Sequence, residues 1–295
     1  MTPGLKGSLE ARGGVDSNPY FAGEDVPLLN GDTPDSAMFY RLTAFLDWNS
    51  PPLGPHWIRL SGFAAQNAYP GSDARDISGL TVAAQAEGVR LLRLGGRTAT
   101  LRLLAGADSV LLQGGPRMRE GAPHIFRRDL FFGGGFAWLI SPRLRLGLEL
   151  EAAQGRFREL ARNGWMQTLR VPATIALSES LSLAGGLRCS YHHTDSAYRR
   201  WETGLNAAVR WRFFGGLSAL AGAGLDWASH PNSSSYFGGD RNREDWTWAL
   251  RGAVHWQAWP HVQFFVDGEA RGRTSTSPGF DFGRFLASGG ARWEF

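Results

Sequence analysis

Stretches of about ten residues in which apolar and polar side chains alternate recur from Gly7 to the end of this chain of 295 residues. One such stretch sets Met38, Tyr40, Leu42, Ala44, Leu46 and Trp48 on one face and Arg41, Thr43 and Asp47 on the other. Leu144, Leu146, Leu148 and Leu150 oppose Arg145, Glu149 and Glu151 in the same way, and Val262, Phe264 and Val266 oppose Gln263, Asp267, Glu269 and Arg271. A period of two is that of a strand, and ~9–11 residues is the length a tilted strand needs to cross a bilayer. No uninterrupted apolar window reaches the ~18 residues of a membrane-spanning helix. The pattern predicts strands at 7–16, 38–49, 57–68, 77–93, 98–112, 125–140, 143–154, 164–177, 181–192, 199–212, 217–228, 245–257, 261–271 and 283–295. The expected fold is therefore all-β: a transmembrane antiparallel up-and-down barrel of about 14 strands, the even number usual for single-chain bacterial barrels.

The connections alternate in length. Ser50–His56, Gly95–Gly96, Ser141–Pro142, Ser178–Ser180, Phe214–Gly216 and Ala258–Pro260 are short, whereas the intervening segments, such as Ser17–Ser36 and Ser229–Glu244, are mostly longer. Short turns face the periplasm in such barrels, so both termini are expected there, in the outer membrane of a Gram-negative bacterium. All 12 Trp fall at strand ends. Trp48, Trp57, Trp138, Trp211, Trp256, Trp259 and Trp293 flank the short turns; Trp165, Trp201, Trp227, Trp246 and Trp248 flank the long loops. Two girdles at headgroup depth suit the indole ring, half buried with its N–H wet. Residues 1–6 lack the apolar stretch of a signal peptide and are set apart as the remnant of a leader or linker, leaving 7–295 as the barrel.

A barrel of this size is too wide to be filled by its own side chains. Its expected lumen carries both signs, including Arg41, Arg145, Arg170, Arg188, Arg210, Arg251, Glu149, Glu202, Asp267 and Glu269. These charges either stiffen the wall as ion pairs or, through the excess of guanidinium, favour anionic or sugar-like cargo. Ala184, Gly186, Gly204, Ala208, Gly222 and Gly224 are inward and small, which fits either a plug, folded-in loop or partner resting on them or local curvature. Arginines at 117, 119, 127, 128, 156, 158, 162, 199, 200, 241, 243 and 273 sit in or near the long loops, where phosphates of lipopolysaccharide are the expected partners. Lys6 is the only lysine, and the net charge of +4 rests on arginine, with no cluster beside a stacking platform that would suggest nucleic acid. The one cysteine, Cys189, forms no disulfide framework. Gly62, Ala64, Ala84 and Ala86 leave a small-residue outer face on which copies could meet, although a monomer suffices for closure.

Tyr191-His192-His193-Thr194-Asp195-Ser196 and His230-Pro231-Asn232-Ser233 contain the residue types of a Ser/His lipid hydrolase. Adjacency within a loop does not place a serine against an oriented histidine, so no enzyme is expected. Neither a metal motif nor a phosphate-cradling loop is present, and no cofactor is expected.

The chain closes on Ser288-Gly289-Gly290-Ala291-Arg292-Trp293-Glu294-Phe295. This resembles the closing-strand signal read by the barrel assembly machinery, and the resemblance implies that Ser288, Gly290, Trp293 and Phe295 serve in assembly. Gly13-Gly14-Val15-Asp16-Ser17-Asn18-Pro19-Tyr20 and the final hairpin, with Gly279-Phe280-Asp281-Phe282, resemble the ends of the barrel domain of surface lipoprotein assembly modifiers. Exopolysaccharide-export barrels are similar. The resemblance implies export or surface delivery of a protein or polysaccharide with periplasmic partners. The alternative is a general or sugar-type diffusion porin.

Overall fold

The computed structural model describes residues 3–18, 36–70, 78–112, 124–157, 162–194, 198–231, 242–277 and 280–295. They form fourteen strands: β1 (Gly4–Asp16), β2 (Ala37–Asn49), β3 (His56–Ala68), β4 (Gly79–Leu94), β5 (Arg97–Leu112), β6 (His124–Leu139), β7 (Leu144–Phe157), β8 (Gly164–Ala176), β9 (Leu181–His193), β10 (Arg200–Arg212), β11 (Leu217–His230), β12 (Arg243–Trp259), β13 (Val262–Ser275) and β14 (Phe282–Glu294). Each pairs antiparallel with its sequence neighbours, and β1 pairs with β14 to close the barrel. The all-β, up-and-down expectation holds.

Side-chain alternation selects the faces. Leu42, Leu103, Leu150 and Val266 point outward, with Leu103 65% and Val266 68% exposed, while Asp16 is 0% and Arg243 2% exposed inside. Apolar groups on the outside and charges within reverse the order of a water-soluble protein and match a wall with hydrocarbon on its outer side. The register shows the strand tilt. Following hydrogen-bonded partners from Arg145 near the short-turn rim through Thr174, Ala184, Ala208, Gly222, Arg251, Glu269 and Leu286 ends at Asp16 near the long-loop rim. Closure of a twisted sheet requires this stagger.

Several boundaries differ from the sequence expectation. Gly4, Leu5 and Lys6 are not a remnant outside the barrel: they belong to β1, opposite Asn49, Trp48 and Asp47. Leu5 simply continues the outward row. β4 runs without a break to Leu94, although alternation fails after Val89, because Trp57 and Val89 face each other on the inner wall near the short-turn rim. Trp57 therefore does not belong to the girdle of outward indoles. The hairpin from β4 to β5 turns on Gly95 and Gly96, at φ 57° and 75°, the left-handed pair that a two-residue turn needs.

The closing seam binds the end of the chain to its beginning. Gly7 N donates to Phe295 O at 3.0 Å, and Phe295 N donates to Gly7 O at 3.0 Å. The Phe295 ring occupies the space that a side chain at position 7 would take and stacks at 5.0 Å on Trp293. Gly62, Ala64, Ala84 and Ala86 lie on the outer face, with Gly62 opposite Ala84 and Leu60 opposite Ala86.

Candidate functional site: the charged inner wall

Every charged residue expected in the lumen is on the inner face, and they divide by partner. A chain of pairs runs from β2 to β7: Arg59 Nε lies 2.7 Å from Asp47, Arg59 Nη1 3.9 Å from Glu87, and Arg102 Nη1 3.6 Å from Glu87. Arg102 then reaches Glu149, two strands away. Position 135 on the intervening β6 is glycine, in register between them, and a Cβ there would stand 3.3 Å from both Arg102 Nη2 and Glu149 Cγ. Arg170 pairs with Glu151 at 3.3 Å.

A second network crosses the seam. Arg12 lies 2.8 Å from Glu10 and 2.9 Å from Asp267, and Arg292 lies 2.5 Å from Glu10. Ser288 bonds Asp267, and Gly290 leaves room for the Phe265 ring, over which Arg12 sits at 4.9 Å. Thus Ser288 and Gly290 look inward, whereas Trp293 looks outward in register with Leu9.

The long-loop rim is the most densely charged part. Arg188 lies 2.9 Å from Asp226 and 3.5 Å from Glu202, which also takes Arg200 at 2.6 Å and His192 at 3.5 Å. Asp245 holds Arg243 at 2.5 Å, His230 at 3.3 Å and Arg273 at 3.8 Å. Arg188, Arg200, Glu202 and Asp226 from the first group and His230, Asp245 and Arg273 from the second line one shallow recess on the inner wall. Beside it on β14 and β1, Arg284, in register with Arg271, grips Asp16 at 2.9 and 2.5 Å, and the Tyr69 hydroxyl donates to Asp16 at 3.3 Å. Burial, with the Asp16 carboxylate second, pushes the Tyr69 phenol up to about 12, so it stays a donor.

Arg127, Arg200, Arg243 and Arg273, expected outside among lipid phosphates, therefore face the lumen. β12 and β13 extend further toward the loops than the pattern indicated and take in Arg243 and Arg273, whereas Arg127 and Arg200 lie within expected strands, and strand parity turns all four inward. Arg162 sits over Phe157 at 5.0 Å and over Tyr198 at 5.5 Å. Arg117, Arg119, Arg158, Arg241, Pro19, Tyr20, Asp195, Ser196, Asn232, Ser233 and Gly279 lie outside the described residues. Of the histidines weighed for hydrolysis, His192 beside Glu202 and His230 beside Asp245 are on the inner wall, whereas His193 is on the outer face, in register with Trp165. Glu10, Arg12 and Asp129 are lumen residues not singled out from the sequence, although they lie within the expected strands 7–16 and 125–140 and following the alternation there would have found them.

Arg145, Arg210 and Arg251 make no ion pair with any described residue. Arg41 bonds Asn67 at 2.5 Å, and Glu269 stands opposite Arg251 in register without an ion pair. Arg145 and Arg251 bracket the small residues Ala184, Ala208 and Gly222 along one hydrogen-bonded row, and Arg210 is the next inward residue beyond Ala208. The glycines there are occupied by the wall itself. A Cβ at Gly186 would lie 2.9 Å from the Val171 carbonyl oxygen, one at Gly222 3.0 Å from Arg251 Nε, and one at Gly204 would strike Asp226. Among the described residues nothing from elsewhere in the chain rests on that wall.

Comparison with solved structures places this architecture among outer-membrane channels. The anion-selective porin from Comamonas acidovorans is similar over 100% of this chain and 99% of its own, with a TM-score of 0.51 at 9% identity. The outer membrane channel DcaP of Acinetobacter baumannii is similar over 99% of this chain and 96% of its own, with a TM-score of 0.57 at 10% identity. At such identities the likeness is one of fold. No family model and no curated protein matches the chain. The resemblance to surface lipoprotein assembly modifiers and exopolysaccharide-export barrels gains no support from these likenesses, and the porin fold takes its place.

Proposed function

We propose that this protein is an outer-membrane diffusion channel that favours small anions, with both termini on the periplasmic side, and that it is a passage rather than an enzyme. The observation that carries this reading is the set of inward arginines, Arg145, Arg210 and Arg251, none in an ion pair with a described residue, around a wall of short side chains; Arg145 and Arg210 have no acid in register beside them, and Arg251 has only Glu269. A guanidinium whose charge is not cancelled nearby raises the local concentration of anions in a confined aqueous path. The paired charges elsewhere stiffen the wall and contribute little net field. A single chain closes the barrel, so a monomer is the working state.

The test is the reversal potential of the purified protein in planar bilayers under a KCl gradient. Anion preference is expected, and R145Q/R210Q/R251Q should move the potential toward that of a non-selective or cation-preferring pore. An unchanged potential in the triple variant would remove the basis of the proposal. Export or surface delivery predicts a different outcome, a channel shut in the absence of periplasmic partners, so steady spontaneous conductance separates the two readings.

A further inference from the structure

The outward positions at the long-loop rim are mostly aromatic, aliphatic or uncharged: Tyr40, Leu80, Trp165, Trp201, Trp227 and Trp246 are examples. β6 and β7 break this rule. Arg128 and Arg156 both point outward there, directly opposite each other in register, and both are exposed. Neither has a hydrogen bond or ion pair to any described residue. The acid closest to them in sequence within the strands, Asp129, faces the other side of the wall and is held by Arg127 at 2.9 Å.

Like charges directly opposite on adjacent strands repel, and the repulsion is greatest where apolar surroundings lower the dielectric. An anion between the two guanidinium groups reverses its sign. Toward the hydrocarbon from this pair the outer face carries Gln154, opposite Leu130, and is otherwise apolar along β6 and β7, with Leu130 58%, Phe132 56% and Leu150 60% exposed, and Trp165 packs edge-on against Phe132 at 6.4 Å. Two cations above an apolar strip match an amphiphile with an anionic head and acyl chains. A phosphate monoester carries between one and two negative charges near neutral pH, enough to balance two guanidiniums, whereas the phosphodiester of a glycerophospholipid carries one. Guanidinium also offers the forked donor geometry that suits phosphate.

We propose that Arg128 and Arg156 clamp a phosphate of lipid A, with its acyl chains over Leu130, Phe132 and Leu150. This rests on the proposed orientation, in which the long loops face the lipopolysaccharide leaflet. Native mass spectrometry of the detergent-purified barrel tests it with bisphosphorylated lipid A, dephosphorylated lipid A and phosphatidylglycerol as probes. Lipid A should be retained by the parent, and R128Q/R156Q should weaken that retention about tenfold or more. Arg90→Gln, which removes an outward cation at the opposite rim, should leave it unchanged. Unheated gel mobility verifies folding, and the single substitutions, each weakening retention part-way, serve if the double variant does not insert. Equal retention by parent and double variant overturns the site. So does equal binding of dephosphorylated lipid A or phosphatidylglycerol. Orientation is measured separately, by labelling Pro231→Cys in whole cells with an impermeant thiol reagent in a Cys189→Ser background. A failure there leaves the detergent result standing, and the two failures are distinguishable.

Discussion

At three places on the inner wall, among the described residues, a glycine lies in register between two side chains that meet over it. Arg102 and Glu149 meet over Gly135, Arg188 and Asp226 over Gly204, and Arg12 and the Phe265 ring over Gly290. Neighbouring strands lie ~4.8 Å apart, so side chains two strands away span that gap only if the middle position carries no bulk. Glycine ordinarily weakens a strand, and here the loss is set against a contact that no other residue permits. Gly135→Leu is expected to part Arg102 from Glu149. Both groups are near lumen water, so stability should fall by no more than about 1 kcal/mol, read as a small drop in the temperature at which the unheated gel form is lost. A shift in conductance should accompany it as the freed guanidinium moves into the lumen.

At the scale of strands, Asp245 ties three elements together, holding His230 at the end of β11, Arg243 on its own strand and Arg273 on β13. With Arg243 also 3.6 Å over the Phe280 ring, the group is enclosed. Removing the carboxylate leaves buried cations facing one another, so Asp245→Ala should cost about 3 kcal/mol. Hydrogen exchange should show it as fraying of the β12–β13 pairing near Glu244 and Ser275, while the β6–β7 pairing stays protected. Asp245 also marks how far the sequence could be read. The period of two gave the strand number, the inward set and the outward indoles apart from Trp57, because a lipid-facing wall imposes alternation on every residue it touches. The pattern lost its grip where that constraint ends. Beyond the hydrocarbon nothing requires Arg243 or Arg273 to alternate visibly, and Trp57 and Val89 pair on a face expected to be polar. The partners of each lumen charge were not legible at all, since they depend on register between strands and on glycines that let side chains cross them.

For the whole molecule, closure depends on the reciprocal backbone bonds between Gly7 and Phe295 and on the ring that fills the space beside Gly7. Deleting Phe295 removes both the last rung of the seam and the terminal aromatic. The amount of heat-modifiable barrel recovered from the outer membrane should fall severely, with the remainder degraded or left in the periplasm. Normal recovery would mean that the terminal ring only packs. The inclined row from Arg145 to Asp16 has its own effect on transport. Partners side by side in the sheet sit at different depths, so a solute held near the wall meets Arg145, then Arg251, then Glu269 while turning about the barrel axis as it advances. The pore is thereby graduated like a spiral ramp. Single cysteines at Ala184, Gly222 and Glu269, in a Cys189→Ser background, should react with a thiol reagent added from the short-turn side in that order.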